Sequence, residues 1–221
     1  MMEVFARAAG IDEIFEQLEA EGVMLRIYPD HKPTMFHYAT ISQGEVDLLG
    51  QIRNVVRKGR VRAIDNTGLT LDDGHEAMPG ETLYIDCTAS AVEHRPAVPI
   101  FQGDLIIPQL VRAPQPAFSA ALAAFVEANY DDDETRNRLC QTVPFPHTIE
   151  GYIPCNIANM MNQFHWGQEQ KLSEWIRQSR LDGFGKVIAA VKPDDVTKRD
   201  ILLRFRNNAM AAMTNLQRLN P

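Results

Sequence analysis

The stretch from Gly59 to Ser90 constrains this chain more than any other. Val61 and Ala63 alternate with Arg62 and Ile64 until Asn66-Thr67-Gly68 interrupts the run. Leu69 and Leu71 then alternate with Thr70 and Asp72 up to Asp73-Gly74. A period of two puts successive side chains on opposite faces of a strand, and Asp-Gly tolerates the positive φ of a primed hairpin turn. A third run, Thr82 to Thr88, is more continuously apolar, as suits a strand buried on both faces inside a larger sheet. The segment therefore predicts a three-stranded meander with turns at Asn66-Thr67-Gly68 and Asp73-Gly74.

The flanks read mostly as helix. Ile11, Ile14, Phe15 and Leu18 recur at helical spacing with acids opposite and Gly22 as a stop, which predicts an amphipathic helix over 11–21. Val23 to Tyr28 and Met35 to Ala39 read as short strands around a Pro29 to Pro33 turn, and Val55-Val56 as a further strand. Ser42 with Glu45 is a capping box that opens a short helix. Val98 to Phe101 and Leu105 to Ile107 form a hairpin about Gln102-Gly103-Asp104. Pro116 suits the first turn of a buried helix running to Tyr130. Asp131 to Glu134 place acids at the start of the next helix, where its dipole favours them, and from Ile149 onward the pattern is helical. The expected fold is α+β: a small, largely antiparallel sheet flanked by helices, followed by an all-helical C-terminal region. The expected division is a sheet-containing domain over 1–130 and a helical region over 131–221.

A chain of 221 residues can hold one generous domain or two small ones. Its net charge of −7 gives no basic field to gather nucleic acid or an anionic membrane. The basic run Arg53, Arg57, Lys58, Arg60, Arg62 reads as a solvated strand edge. Residues 1–10 have no apolar signal-peptide core, and Phe118 to Val126 is too short to span a bilayer, so a cytoplasmic protein is expected. Cys87, Cys140 and Cys155 are odd in number and widely spaced, and reduced thiols are expected.

The meander pattern G-x-V-x-x-I, then L-x-L-x-D-G, then a buried strand closing on Asp86-Cys87-Thr88-Ala89 resembles the two-dinucleotide-domain FAD/NAD(P)-dependent oxidoreductases, the flavin monooxygenases and their relatives. Alanine stands where that family has glycine. The resemblance is close over 59–90 and looser over 34–130. It implies that Thr88 and Ala89 lie where the chain returns to the FAD domain beside the cofactor. It further implies that the helix beginning near Pro116 points its N-terminus, with Gln115, Phe118 and Ser119, at the flavin C2 carbonyl. Such enzymes open with a strand, G-x-G-x-x-G and a helix, and nothing before Gly59 fits that fingerprint.

The resemblance thus reaches only the later part of such an enzyme. It implies a partial or split FAD-dependent oxidoreductase, monooxygenase-like, with FAD and NADP as cofactors once a missing domain or companion subunit completes it. A homo-oligomer would serve the same need for a partner, and the small-molecule substrate is unspecified. The same scaffold would also suit a non-enzymatic binding or interaction module. Flavin carries the redox chemistry in this class, so no catalytic acid, base or nucleophile need appear in the chain. Gly183-Phe184-Gly185 lacks the preceding strand of a dinucleotide loop. The six histidines show no ligand spacing, and no metal site is expected.

Overall fold

Among the residues that the computed structural model describes, 1–88 and 95–220, the chain order is α1 (Met2–Arg7), α2 (Ile11–Ala20), α3 (Gln43–Leu49), β1 (Val61–Asp65), β2 (Gly68–Leu71), β3 (Gly74–Ala77), β4 (Phe101–Gln102), β5 (Leu105–Ile106), α4 (Pro116–Asn129), α5 (Asp133–Leu139), α6 (Tyr152–Gln168), α7 (Gln170–Gln178), α8 (Gly183–Ala189) and α9 (Val196–Leu219). The fold is α+β, with an antiparallel three-stranded sheet and a helical C-terminal region. Two compact units are present: Met1–Thr40 with Arg95–Pro221, and Ile41–His94. Residue 130 falls inside the first, because Phe118 and Leu122 before it share one core with Leu139, Trp166 and Leu172 after it.

In the first unit, α2 presents Ile14 and Leu18 inward, four residues apart as its amphipathic pattern requires. They meet Phe5 of α1, Tyr152 and Ile153 of α6 and Leu216 of α9 in a single cluster. Asn215 fixes this closure by donating through Nδ2 to the carbonyls of Phe5 and Ala8, both at 2.8 Å. A second cluster joins α4 to α5, α6 and α7, where Phe125 and Trp175 stack at 4.9 Å. The hairpin β4–β5 turns through Gly103 at φ +65°, as its sequence predicts.

In the second unit, Ser42 caps α3 by accepting from the Glu45 amide, and the Glu45 carboxylate accepts from the Ser42 amide at 2.8 Å. That backbone bond, with the Ser42 hydroxyl, holds the Glu45 carboxyl below the usual carboxylate range. The sheet order is β1-β2-β3. Gly68 has φ +139°, and a Cβ there would lie 2.1 Å from the Glu76 carbonyl oxygen, so only glycine passes between the strands. The basic run is drawn into the sheet: Lys58 pairs with Glu76 at 2.8 Å, and Arg62 with Asp72.

Several expected strands are replaced. The third strand is Gly74–Ala77, whereas 82–88 lie outside helix and strand. The tight turn lies at Asp72-Asp73, one residue before the expected Asp73-Gly74, and offers Gly74 to Ala77 to β2 at once, so little loop-closure entropy is lost before pairing. Their polar side chains hide the strand from a search for apolar alternation. Residues 23–28 and 35–39 also form no ladder. The Val23 and Met24 amides close α2 on the Leu18 carbonyl. Phe36 is held instead by rings, 5.8 Å from Phe15 and 5.1 Å from Tyr152. Val55-Val56 is not a strand either. Helix α1, which the sequence reading did not predict, is short but half-buried through Met2, Val4 and Phe5.

Candidate functional site

The residues singled out by the resemblance fall in different parts of the chain. Thr88 belongs to the second unit, is exposed, and donates both its amide (2.8 Å) and its hydroxyl (2.6 Å) to Asp86 Oδ1. This local turn competes with strand pairing, which explains why the closing strand does not form here. Ala89 lies outside the described residues.

Gln115, Phe118 and Ser119 come together at the start of α4. Gln115 is the N-cap residue and Pro116 the first helical one. Phe118 is buried, at 1% exposure. The Ser119 hydroxyl donates to the Gln115 carbonyl at 2.8 Å and accepts from the amides of Val111 (3.1 Å) and Arg112 (3.3 Å). Phe118 and Ser119 therefore set the helix and its preceding loop from beneath. Pro116 and Ala117 are exposed at the helix mouth beside the half-buried Gln115. The Gln115 backbone N–H donates to the Arg112 carbonyl at 2.8 Å.

The loop leading into α4 carries a closely bonded polar cluster. The Arg112 guanidinium lies 3.9 Å from the Phe118 ring centroid and 4.9 Å from that of Trp166. Its Nη1 donates to Asp182 Oδ1 at 2.8 Å and to Gln115 Oε1 at 3.4 Å. Both side chains of the Arg112–Asp182 pair are nearly buried, and desolvation pulls the Arg112 pKa below its ordinary value while Asp182 opposes the shift. Asp182 can turn back over α8 because Gly185 follows: a Cβ at 185 would lie 2.0 Å from Asp182 Oδ2. Asn159 accepts from the Ala113 amide at 3.1 Å, and Asn162 donates to the carbonyls of Val111 and Gln141, both at 2.7 Å. The peptide bond between Ala113 and Pro114 is cis.

Sequence reasoning did not bring Arg112, Asp182, Asn159 and Asn162 together. No spacing could pair residues 70 positions apart. The Gly-Phe-Gly that reads as a failed dinucleotide loop was the one available signal, since its second glycine makes room for the Asp182 carboxylate.

Elsewhere, the Tyr38 hydroxyl and the Cys155 thiol lie 3.1 Å apart, and burial raises the pKa values of both. Asp132 accepts from the Thr135 amide at 2.7 Å, so the acidic run caps α5. Among the described residues no group of three or more His, Cys, Asp or Glu could hold a metal ion, and no helix is long and apolar enough to cross a membrane.

The chain is similar to the uncharacterized protein Rv2000 of Mycobacterium tuberculosis H37Rv and to the uncharacterized protein Mb2023 of Mycobacterium bovis. Each is 33% identical over 218 residues. The match takes in 99% of this chain but spans only 41% of the length of each relative. No protein-family model and no solved structure matches.

Proposed function

We propose that this chain forms the substrate-side and C-terminal portion of an FAD-dependent oxidoreductase of the flavin monooxygenase type, active when a dinucleotide-binding segment completes it. The observation that supports the reading is the meander, in which the resembled segments Val61–Asp65 and Gly68–Leu71 pair antiparallel; the relatives, more than twice as long, have room for a further segment beyond the matched region. FAD would supply the redox chemistry when bound, with NADPH, the reduced form of NADP, as the hydride donor. The chain's own part begins at α4. There the first-turn N–H groups and the helix dipole favour negative charge at the polar edge of an approaching ring, and the exposed Pro116 and Ala117 leave the helix mouth uncluttered. Arg112, Phe118 and Ser119 fix the direction in which that helix points.

The purified chain alone is expected to be colourless and to bind free FAD weakly, because it carries no strand–G-x-G-x-x-G–helix fingerprint. The full-length M. tuberculosis relative is expected to emerge from gel filtration with stoichiometric FAD. A colourless full-length relative, or a yellow preparation of this chain by itself, overturns the reading. A non-enzymatic interaction module is the second reading. It is favoured by the commitment of Phe118 and Ser119 to internal contacts.

A further inference from the structure

Residues 179–203, which carry α8 and the start of α9, are held to the rest of their unit by one buried group. Between Leu172 and Ala212 the only buried residue is Asp182, at 7% exposure. No residue of 179–203 belongs to the three apolar clusters of the described residues. Phe184 is 60% and Val187 65% exposed, so α8 turns its apolar side chains to solvent instead of packing them. Other side-chain bonds here are local: Asp195 accepts from the Lys198 amide, and Arg199 donates to the Pro193 carbonyl. A segment with so little buried surface lies at the low end of local stability. The Arg112–Asp182 pair is what keeps it on the loop before α4.

The other side of that contact is built without Asp182. The Arg112 guanidinium is seated on the rings of Phe118 and Trp166, and its Nη1 also meets Gln115 Oε1. Asp182 engages it through a single bond, from Nη1 to Oδ1 at 2.8 Å. Arg112 Nε is buried and has no partner among the described residues. A guanidinium fork can hold a carboxylate through two parallel bonds, so Asp182 takes less from Arg112 than a free carboxylate can. A cation this deeply buried needs an anion whether or not Asp182 supplies it.

We propose that Arg112 is a binding site for a small carboxylate ligand, kept closed by Asp182, and that the ligand displaces Asp182 and releases residues 179–203. Nothing in this depends on a flavin. Gly185 makes the closed state possible: a Cβ there would overlap Asp182 Oδ2. Gly185→Ala therefore pushes the Asp182 carboxylate aside without changing any charge.

The test is hydrogen exchange of the full chain in succinate, compared with sodium chloride at the same ionic strength. Succinate should speed exchange over 183–189 about tenfold by shifting the population to the open form, whereas chloride should leave it unchanged and 116–129 should not respond to either salt. Gly185→Ala should exchange fast over 183–189 without succinate. By calorimetry it should bind succinate about tenfold more tightly than the unaltered chain, because the closed fraction no longer lowers the apparent affinity. Arg112→Met should release 183–189 as well but bind no succinate.

Chloride that acts as strongly as succinate reduces the pair to a screened salt bridge and overturns the site. A Gly185→Ala chain that binds succinate no better than the unaltered one overturns the role of Asp182, and binding that survives Arg112→Met overturns that of Arg112. If Gly185→Ala fails to fold, the succinate and chloride arms on the unaltered chain decide the matter by themselves.

Discussion

The two units of this protein solve the problem of burial in opposite ways. The helical unit closes three apolar clusters from side chains far apart in sequence, so that Phe5, Tyr152 and Leu216 depend on one another. The meander unit relies on local devices: a capping box, a glycine that lets strands approach, and two ion pairs within the sheet. Its apolar side chains remain largely open, and among its described residues Val46 and Leu71 are the buried hydrophobic ones. Cooperative stability therefore resides in the first unit, while the second is held in register by polar and backbone contacts that do little to exclude water.

Truncation of a central side chain should expose the largest gap between the two. Phe5→Ala removes a fully buried ring set 5.9 Å from that of Tyr152 and should cost about 3–5 kcal/mol in chemical denaturation, whereas Ile64→Ala should cost under about 1 kcal/mol. Equal costs would erase the distinction. Next in size is Asp182→Asn, which leaves the Arg112 charge nearly buried without its carboxylate and should cost about 3 kcal/mol. Loss below about 1 kcal/mol would show that the pair is solvated.

High pH offers a third test. Burial pushes the Cys155 thiol up from 9.0 to about 11 and the Cys140 thiol up to about 12. The folded chain keeps these protons while the unfolded chain releases them. Their contribution is therefore complete below about pH 9 and lost as the pH climbs toward 11, at roughly 2 kcal/mol per thiol. Equilibrium unfolding at pH 8 and pH 10.5 measures the loss, and Cys140→Ala or Cys155→Ala should flatten it. The smallest effect belongs to the meander unit. Ser42→Ala removes the cap of α3 and should cost about 1 kcal/mol, read as faster hydrogen exchange confined to 43–49. Exchange that accelerates equally in α4 would mean that the units unfold together.

The parts legible in the sequence were those governed by local chemistry. The Ser42–Glu45 box, the acids at the head of α5, Pro116 at the head of α4 and the first meander turn each depend on residues within a few positions of one another, and the second turn lies one residue before its expected place. The third strand escaped because His75-Glu76-Ala77 has no apolar alternation, and the apolar Thr82–Thr88 drew attention from it. Phe36 looked like a strand residue because an aromatic serves a ladder and a ring cluster equally well. The Arg112–Asp182 pair escaped for a different reason: a salt bridge between distant residues has no local signature.

The bond from Asn215 to the carbonyls of Phe5 and Ala8 spans more than 200 positions and carries a consequence for biosynthesis. During translation α1 leaves the ribosome long before α9 is made. At about 5–20 residues per second, roughly 10–40 s pass between them. Throughout that interval Met2, Val4, Phe5, Ile14 and Leu18 lack the Ala212–Leu216 surface that covers them in the finished protein. The nascent chain thus offers chaperones a fixed, early-emerging apolar segment, and its native core can close only after α9 clears the exit tunnel.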